Sequence, residues 1–376
     1  MNTNKKRLTA ALLSASMILA LSSCGGSGAA SPTPAPSSSA PESQAPASSA
    51  PAELSNEARI VAAAQAGKVG NWGLGNEYEV QALLAKYGQP TTFLSQNFDM
   101  DGFDDDSITL ASAMTYNELG LVVNDYDGGY GYGDKVGYID MNDEGVAMLE
   151  DNIFCTKAFA QANPNTVEAF LAASMKGWEY ACANPDEAAN IVYNYGSSVS
   201  SEHQAYMANE VKKLVETDTE GKPVTDYGNM DETAMEQTLE LAKTYIKLDD
   251  STAAAKLQEL TLDDIRDTSY LAAAKSGTPG APEKTDISIQ LKWLPQAQFM
   301  GYYVALDKGY YSDVGLNVTI VPGGGDIGET TAVYNGTVDF GVTWVSNLIA
   351  ADAAGMDLLE VAQVYQRSGL VLVYKK

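Results

Sequence analysis

Between Ile287 and Tyr374, short apolar runs alternate with helix-forming ones. Ile287, Ile289 and Leu291 fall at every second position and read as a strand. GYYVALDKG follows as a helix and NVTIV as a strand. A helix after GGGD runs to Asn335, then come VDFGVTW as a strand, SNLIAADAAG as a helix and LVLVY as a strand. Strand and helix in strict turn can bury both faces of a sheet only if the strands run parallel and the helices cross over them. The right-handed crossover rule then places helices on both faces.

The same alternation occurs earlier. KVGNW reads as a strand, NEYEVQALLAKYG as a helix, TTFL and SITLASAM as strands and TYNELGLVV as a helix. Residues 163–248 read as helical, with Asn163-Pro164 and Asn184-Pro185 as helix starts, since proline suits the first helical position. Met235, Leu239, Ala242 and Ile246 form one apolar stripe, and Trp178 continues another with Val167, Phe170, Leu171 and Ser174. Trp178 is expected in the core. A length of 376 residues fits two compact units. The fold class expected is therefore α/β, in two lobes.

The first residues read as an export signal. Lys5, Lys6 and Arg7 precede a short apolar run from Leu8 to Leu21, too short to span a membrane. Leu21-Ser22-Ser23-Cys24 resembles a bacterial lipobox, which implies cleavage, lipidation of Cys24 and anchoring to the outer face of a cell membrane. Residues 25 to about 54 are Gly, Ser, Ala and Pro without an aromatic residue, a composition too poor in apolar surface to fold. A tether of this length would span roughly 30 Å.

Charge and rare residues exclude several functions. The net charge is -26, and after signal cleavage 20 Lys and Arg would face 49 Asp and Glu. Phosphate binding needs Lys and Arg clusters, so nucleic acid is not an expected partner. A single His and three Cys argue against His-dependent triads and against a zinc site. Cys155 and Cys182 either pair in an oxidising compartment or remain buried thiols. Twenty-one Tyr and four Trp are ample for stacking a small organic ligand.

The run KWLPQAQFMGYYVALDKGYYSDVGLNVTIVPGGGDIGETTAVYNGTVDFGVTW, with VAQVYQRSGLVLV after it, resembles the N-terminal lobe of type 2 substrate-binding proteins of ABC importers. Within them it is similar to the family related to thiamine-pyrimidine synthase, whose lipoproteins bind thiamine pyrimidine precursors or riboflavin. GNWGLGNEYEVQALLAKYG, SQNFDM, AMTYNELG and YIDMNDEGVAMLEDNIF resemble the second lobe. The lobe order is reversed relative to the family, so the sequence reads as a circular permutation.

That reading implies a signal at 1–23, a tether at 24–55 and the second α/β lobe at 56–151. A helical segment at 152–275 then returns to the first lobe, a linker follows at 276–284, and the first lobe occupies 285–376. One of the two covalent lobe crossovers is then expected to be lost, leaving the hinge on Tyr138 to Asp143. The resemblance also implies an extracytoplasmic monomer that hands a small aromatic heterocycle to an importer permease, without a cofactor or a metal. It does not imply an enzyme. The related synthase carries a Cys-rich segment and consumes its own His, whereas here the only His203 is expected on a surface helix.

In two-lobed α/β proteins, ligands bind at the C-terminal ends of the strands. In one lobe this rule selects Trp293, Gln296, Gln298 and Tyr302 after the first strand, Gly324 after the second and Trp344 after the third. In the other it selects Asn76 and Glu77 at the GNWGLGNE turn, Tyr116, Asn117 and Glu118 at the next helix start, and Asp143 at the crossover. The glycines at 70, 73 and 75 do not form GxGxxG, which argues against a dinucleotide. Aromatic, amide and carboxylate groups suit a flat, nitrogen-rich, neutral or cationic ring. Glu118 or Glu77 would accept from its exocyclic amine, and such a bond rejects analogues that lack the amine. Sulfonate, phosphate and nitrate want several donors and are not expected.

Overall fold

The computed structural model describes residues 53–277 and 279–376; the run read as an export signal, Cys24 and nearly all of the expected tether lie outside them. Among the described residues, ten strands form two five-stranded sheets. They are β1 (Val69–Asn71), β2 (Leu94–Ser95), β3 (Leu110–Met114), β4 (Val136–Asp140), β5 (Asn152–Thr156), β6 (Asp286–Gln290), β7 (Asn317–Val321), β8 (Phe340–Gly341), β9 (Leu358–Gln363) and β10 (Leu370–Lys375). One sheet runs β2-β1-β3-β10-β4 and the other β7-β6-β8-β5-β9. In each, the first-listed three strands are parallel and the fourth, β10 or β5, is antiparallel to both neighbours.

The two sheets share one topology and exchange their antiparallel strand. The chain leaves β4 in one sheet and enters β5 in the other through residues 141–151. It leaves β9 and returns to the first sheet as β10 through residues 364–369. Two crossovers are therefore present, which corrects the expectation of a single hinge. The first lobe likewise does not extend to residue 376, because Leu370–Lys375 pairs with β3 and β4 of the other sheet. LVLVY is a strand as expected, but the fourth strand proper to its own lobe is β9. Both runs are apolar, and local patterning carries no information about which sheet a strand joins.

Side chains sew the crossovers together. Asn142 donates from Nδ2 to the Ser368 carbonyl at 2.9 Å, and the Ser368 N–H donates back to Asn142 Oδ1 at 3.2 Å. Glu150 accepts the Gly369 N–H at 2.8 Å, and Glu79 accepts the Met148 N–H at 2.8 Å. Arg367 pairs with Asp140 at 3.0 Å.

The 20-residue helix Pro164–Ala183 starts with proline at its first turn and buries Val167, Phe170, Leu171 and Trp178. It lies close against the helix Met300–Asp307. A Cβ on Gly177 would sit 2.2 Å from the Gly301 carbonyl oxygen, and one on Gly301 would meet the Trp178 ring at 2.2 Å. Phe170 stacks between Phe340 at 4.2 Å and Tyr311 at 5.4 Å. This packing holds β6, the helix after it and the cleft-facing loop between them in a fixed relation. Cys155 and Cys182 are both buried free thiols, which closes the disulfide alternative.

Candidate functional site

The C-terminal ends of the parallel strands of both sheets meet at a cleft between the lobes. It encloses about 410 Å³, counting its open mouth. One lobe contributes Trp72, Leu74, Phe98, Met114, Tyr116, Asn117 and Glu118; the other contributes Lys292, Trp293, Gln296, Gln298 and Trp344.

Aromatic faces make the walls. Phe98, which follows β2, stands edge-on to Trp293 from the opposite lobe, with ring centres 4.9 Å apart, and Trp72 lies 6.5 Å from Phe98. Such pairs are worth about 1 kcal/mol beyond the area they bury. The lobes also touch through Ser346 Oγ, which donates to the Gly75 carbonyl at 2.6 Å, and Asn347 Nδ2, which donates to the Leu74 carbonyl at 2.8 Å. Leu74 has a positive φ of 67°, a strained conformation for a leucine. The strain turns its carbonyl toward the other lobe.

Two carboxyl groups serve the cleft. Glu118 is 5% exposed. Its Oε2 accepts the Met114 N–H at 2.8 Å and its Oε1 accepts from Asn117 Nδ2 at 2.7 Å. Burial nevertheless pushes its pKa up to about 7, because the two donors only partly offset the loss of water. Asp151 lies behind the wall at the end of the first crossover, with φ of 37°. It accepts from Gln298 Nε2 at 2.8 Å and from Trp344 Nε1 at 3.1 Å, and Gln296 Nε2 in turn donates to Gln298 Oε1 at 2.7 Å. Burial raises Asp151 to about 7 as well. Lys292 is the cation of the cleft. It bonds to Glu329 at 3.1 Å and sits 4.4 Å from the centre of the Trp344 ring. Thr343 Oγ1 donates to the same Glu329 oxygen at 2.5 Å.

Seven of the twelve residues selected from sequence line this cleft together: Trp293, Gln296, Gln298, Trp344, Tyr116, Asn117 and Glu118. Five do not. Tyr302 is fully buried and packs edge-on to Trp178 at 5.5 Å, because the helix that opens at the cleft turns position 302 into the core. Asn76 is buried under the glycine-rich turn, where its Oδ1 accepts from Asn71 Nδ2 at 3.3 Å. Glu77 bends back to accept the Gly75 N–H at 2.7 Å. Asp143 is exposed on the first crossover. Gly324 lies in the loop after β7 with φ of 151°, while its neighbour Gly323 makes the close approach: a Cβ there would lie 2.0 Å from the Leu291 carbonyl oxygen.

Trp72, Leu74, Phe98, Met114 and Lys292 were missed. Four of these end or directly follow a strand: Trp72 after β1, Phe98 just past β2, Met114 at the end of β3 and Lys292 just past β6. The strand-end rule, applied to every strand, would have found them. His203 is also corrected. It is 1% exposed, because the helix Ser201–Glu216 turns it inward onto Asn117.

Two α/β lobes, joined by two crossovers and meeting at an aromatic cleft, define the class of the protein. The NMT1/THI5-like family matches residues 65–188 and 296–376, more than half of the chain, and the chain belongs to that family. No curated protein matches it. Among solved structures it is similar to the unliganded open form of MppA, a periplasmic murein tripeptide binding protein, at 13% identity and a TM-score of 0.28. The match covers 75% of this chain and 52% of that one, so the chain spans about half the length of that structure.

Proposed function

We propose that this protein is an extracytoplasmic solute-binding lipoprotein of an ABC importer. It closes two lobes on a small aromatic nitrogen heterocycle, an aminopyrimidine of the kind that precedes thiamine. One observation carries the reading: five aromatic side chains and the buried Glu118 face a single cleft whose Lys292 is already paired with Glu329. Stacking faces, amide groups and a carboxylate acceptor recognise a flat ring with an N–H donor. Among the described residues, an anionic ligand would find no free cation there. Membership in the NMT1/THI5-like family supports the choice of ring. The lipobox-like Leu21-Ser22-Ser23-Cys24 supports anchoring through Cys24. We further read the lobe order as a circular permutation, supported by the motif order in the sequence.

Riboflavin is the second reading, and a second hollow favours it. Leu74 and Lys292 also line a separate open hollow with Asp326, Thr330 and Asn347, polar groups suited to a hydroxylated side chain. A pyrimidine-synthase-like enzyme is disfavoured because the only histidine has both ring nitrogens engaged in the core.

The test is a thermal-shift series with aminopyrimidine thiamine precursors, thiamine and riboflavin. At a hundredfold excess over Kd a true ligand stabilises by about 2.7 kcal/mol. A shift with one compound only names the cargo; none with any of them sinks the heterocycle reading.

A further inference from the structure

The sole histidine is buried on the far side of Asn117 from the cleft, in a continuous chain of hydrogen bonds. Tyr126 Oη lies 2.5 Å from His203 Nδ1, and His203 Nε2 lies 2.8 Å from Asn117 Oδ1. Asn117 Nδ2 lies 2.7 Å from Glu118 Oε1, at the cleft wall. The Tyr206 ring stacks on the imidazole at 6.0 Å with an angle of 10°, and its hydroxyl donates to the Thr115 carbonyl at 2.8 Å. Gly120 makes room for that ring, since a Cβ there would lie 2.2 Å from it. The imidazole is thus held in both position and rotation.

The donor inventory gives this chain one direction. An ionised carboxylate only accepts, so Asn117 must turn its NH2 to Glu118 and its oxygen to His203. The oxygen then requires a proton on Nε2. A neutral ring has one bare nitrogen left, Nδ1, which accepts from Tyr126. Burial keeps the ring neutral, lowering its pKa to about 4. The reverse direction would need Glu118 protonated. An amide held with its NH2 toward Glu118 therefore favours the ionised carboxylate.

We propose that His203 is a positioning residue for the cleft: it fixes the Asn117 amide so that Glu118 meets the ligand as an ionised acceptor, which selects heterocycles bearing an N–H donor over matched oxo compounds. The selection rests on the heterocycle reading above; the positioning does not.

Histidine occurs once, so ¹⁵N labelling of the full chain gives a single pair of ring nitrogens. The expected spectrum at pH 7 has Nε2 protonated and Nδ1 bare; the opposite tautomer, or a charged ring, overturns the proposal. The Glu118 carboxyl is then followed by ¹³C titration, assigned by difference from Glu118→Gln. In His203→Leu its midpoint should rise by about one pH unit, as expected when the donor to the charged form, the Asn117 amide, is no longer held in place. His203→Gln keeps a donor in reach and should restore it. Asn117→Ala should give the same rise with the histidine intact, which covers the case that His203→Leu does not fold. An unmoved midpoint overturns the positioning role. Binding of a 4-aminopyrimidine and the matched 4-oxopyrimidine reads the selection. Wild type and His203→Gln should prefer the amino compound about tenfold or more, and His203→Leu should lose most of that preference. Equal preference in all three proteins overturns the selection. If wild type binds neither compound while the Glu118 midpoint still moves, the heterocycle reading fails and the positioning stands.

Discussion

Raising the pH from 5.5 to 8 should destabilise the ligand-free protein, and the buried acids fix the size of the effect. Burial is the main cause that lifts Glu118 and Asp151 to about 7, and Glu79 and Glu360 to about 8. In the unfolded chain the same groups ionise near their ordinary values of 4.5 and 3.8. The folded form therefore holds protons that the unfolded form has released. Stability from these groups is complete below the ordinary carboxylate range and is lost as pH rises through 7 to 8. Each extra proton retained tilts stability by about 1.4 kcal/mol per pH unit. A single net proton over 1.5 units gives about 2 kcal/mol, or roughly 3 °C in Tm for a body of this size. Exposed carboxylates are already ionised at pH 5.5. Asp264, held below its ordinary value by the Thr261 hydroxyl and N–H, loses its stabilisation only in more acid solution. The window thus isolates the buried groups, of which His203 works the other way: held at about 4 in the fold and 6.5 when unfolded, it offsets about 1 kcal/mol of the acids' slope between pH 5.5 and 7. The assay is Tm by calorimetry at fixed ionic strength. Glu360→Gln serves as a control away from the cleft: Oε2 accepts from Asn152 Nδ2 at 3.1 Å while Oε1 has no partner, so an amide can replace the acid in place. It should flatten part of the slope and gain stability at pH 8. A Tm that stays level or climbs between pH 5.5 and 8 would refute the reasoning.

Other outcomes follow from single contacts. Glu118→Gln should weaken an amino heterocycle by about 2 kcal/mol in a calorimetric titration, the scale of a hydrogen bond to a charged group. Trp293→Ala should cost at least about tenfold in Kd with little change in Tm, since it removes a half-exposed stacking face and its edge contact with Phe98. Lys292→Met should lower stability by about 3 kcal/mol, because Glu329 would be left buried beside only the Thr343 hydroxyl, and Glu329→Gln in the same chain should recover much of it. Gly75→Ala should lower Tm and open the cleft in small-angle scattering: its φ is 115°, and the new Cβ would meet the Asn347 side chain of the facing lobe at 2.4 Å.

The parts of this fold legible in the sequence are those set by neighbours along the chain. Strands at 69–71, 110–114, 286–290 and 317–321 fall inside runs read from alternation, and the helices after Pro164 and Pro185 start where proline places them. The sheet that a strand joins is set elsewhere. Val371 and Leu372 are as apolar as Val361 and Ala362, and all four are fully buried, yet the first pair crosses to the other lobe. What decides between them is the six-residue crossover 364–369, whose Ser368 and Gly369 are held by Asn142 and Glu150 from the other crossover, more than 200 residues away. The cleft shows the same division. Strand ends locate its wall residues, because position along a strand is local. Which polar group turns to the ligand and which turns inward is not local: Glu77 serves its own turn while Glu118 faces the cleft. His203 orients Glu118 from 85 positions away through Asn117, a link that no spacing along the chain contains. A helix that reads as surface by composition therefore holds the group that sets the chemistry of the site, and substitutions at His203 should alter ligand choice more than fold.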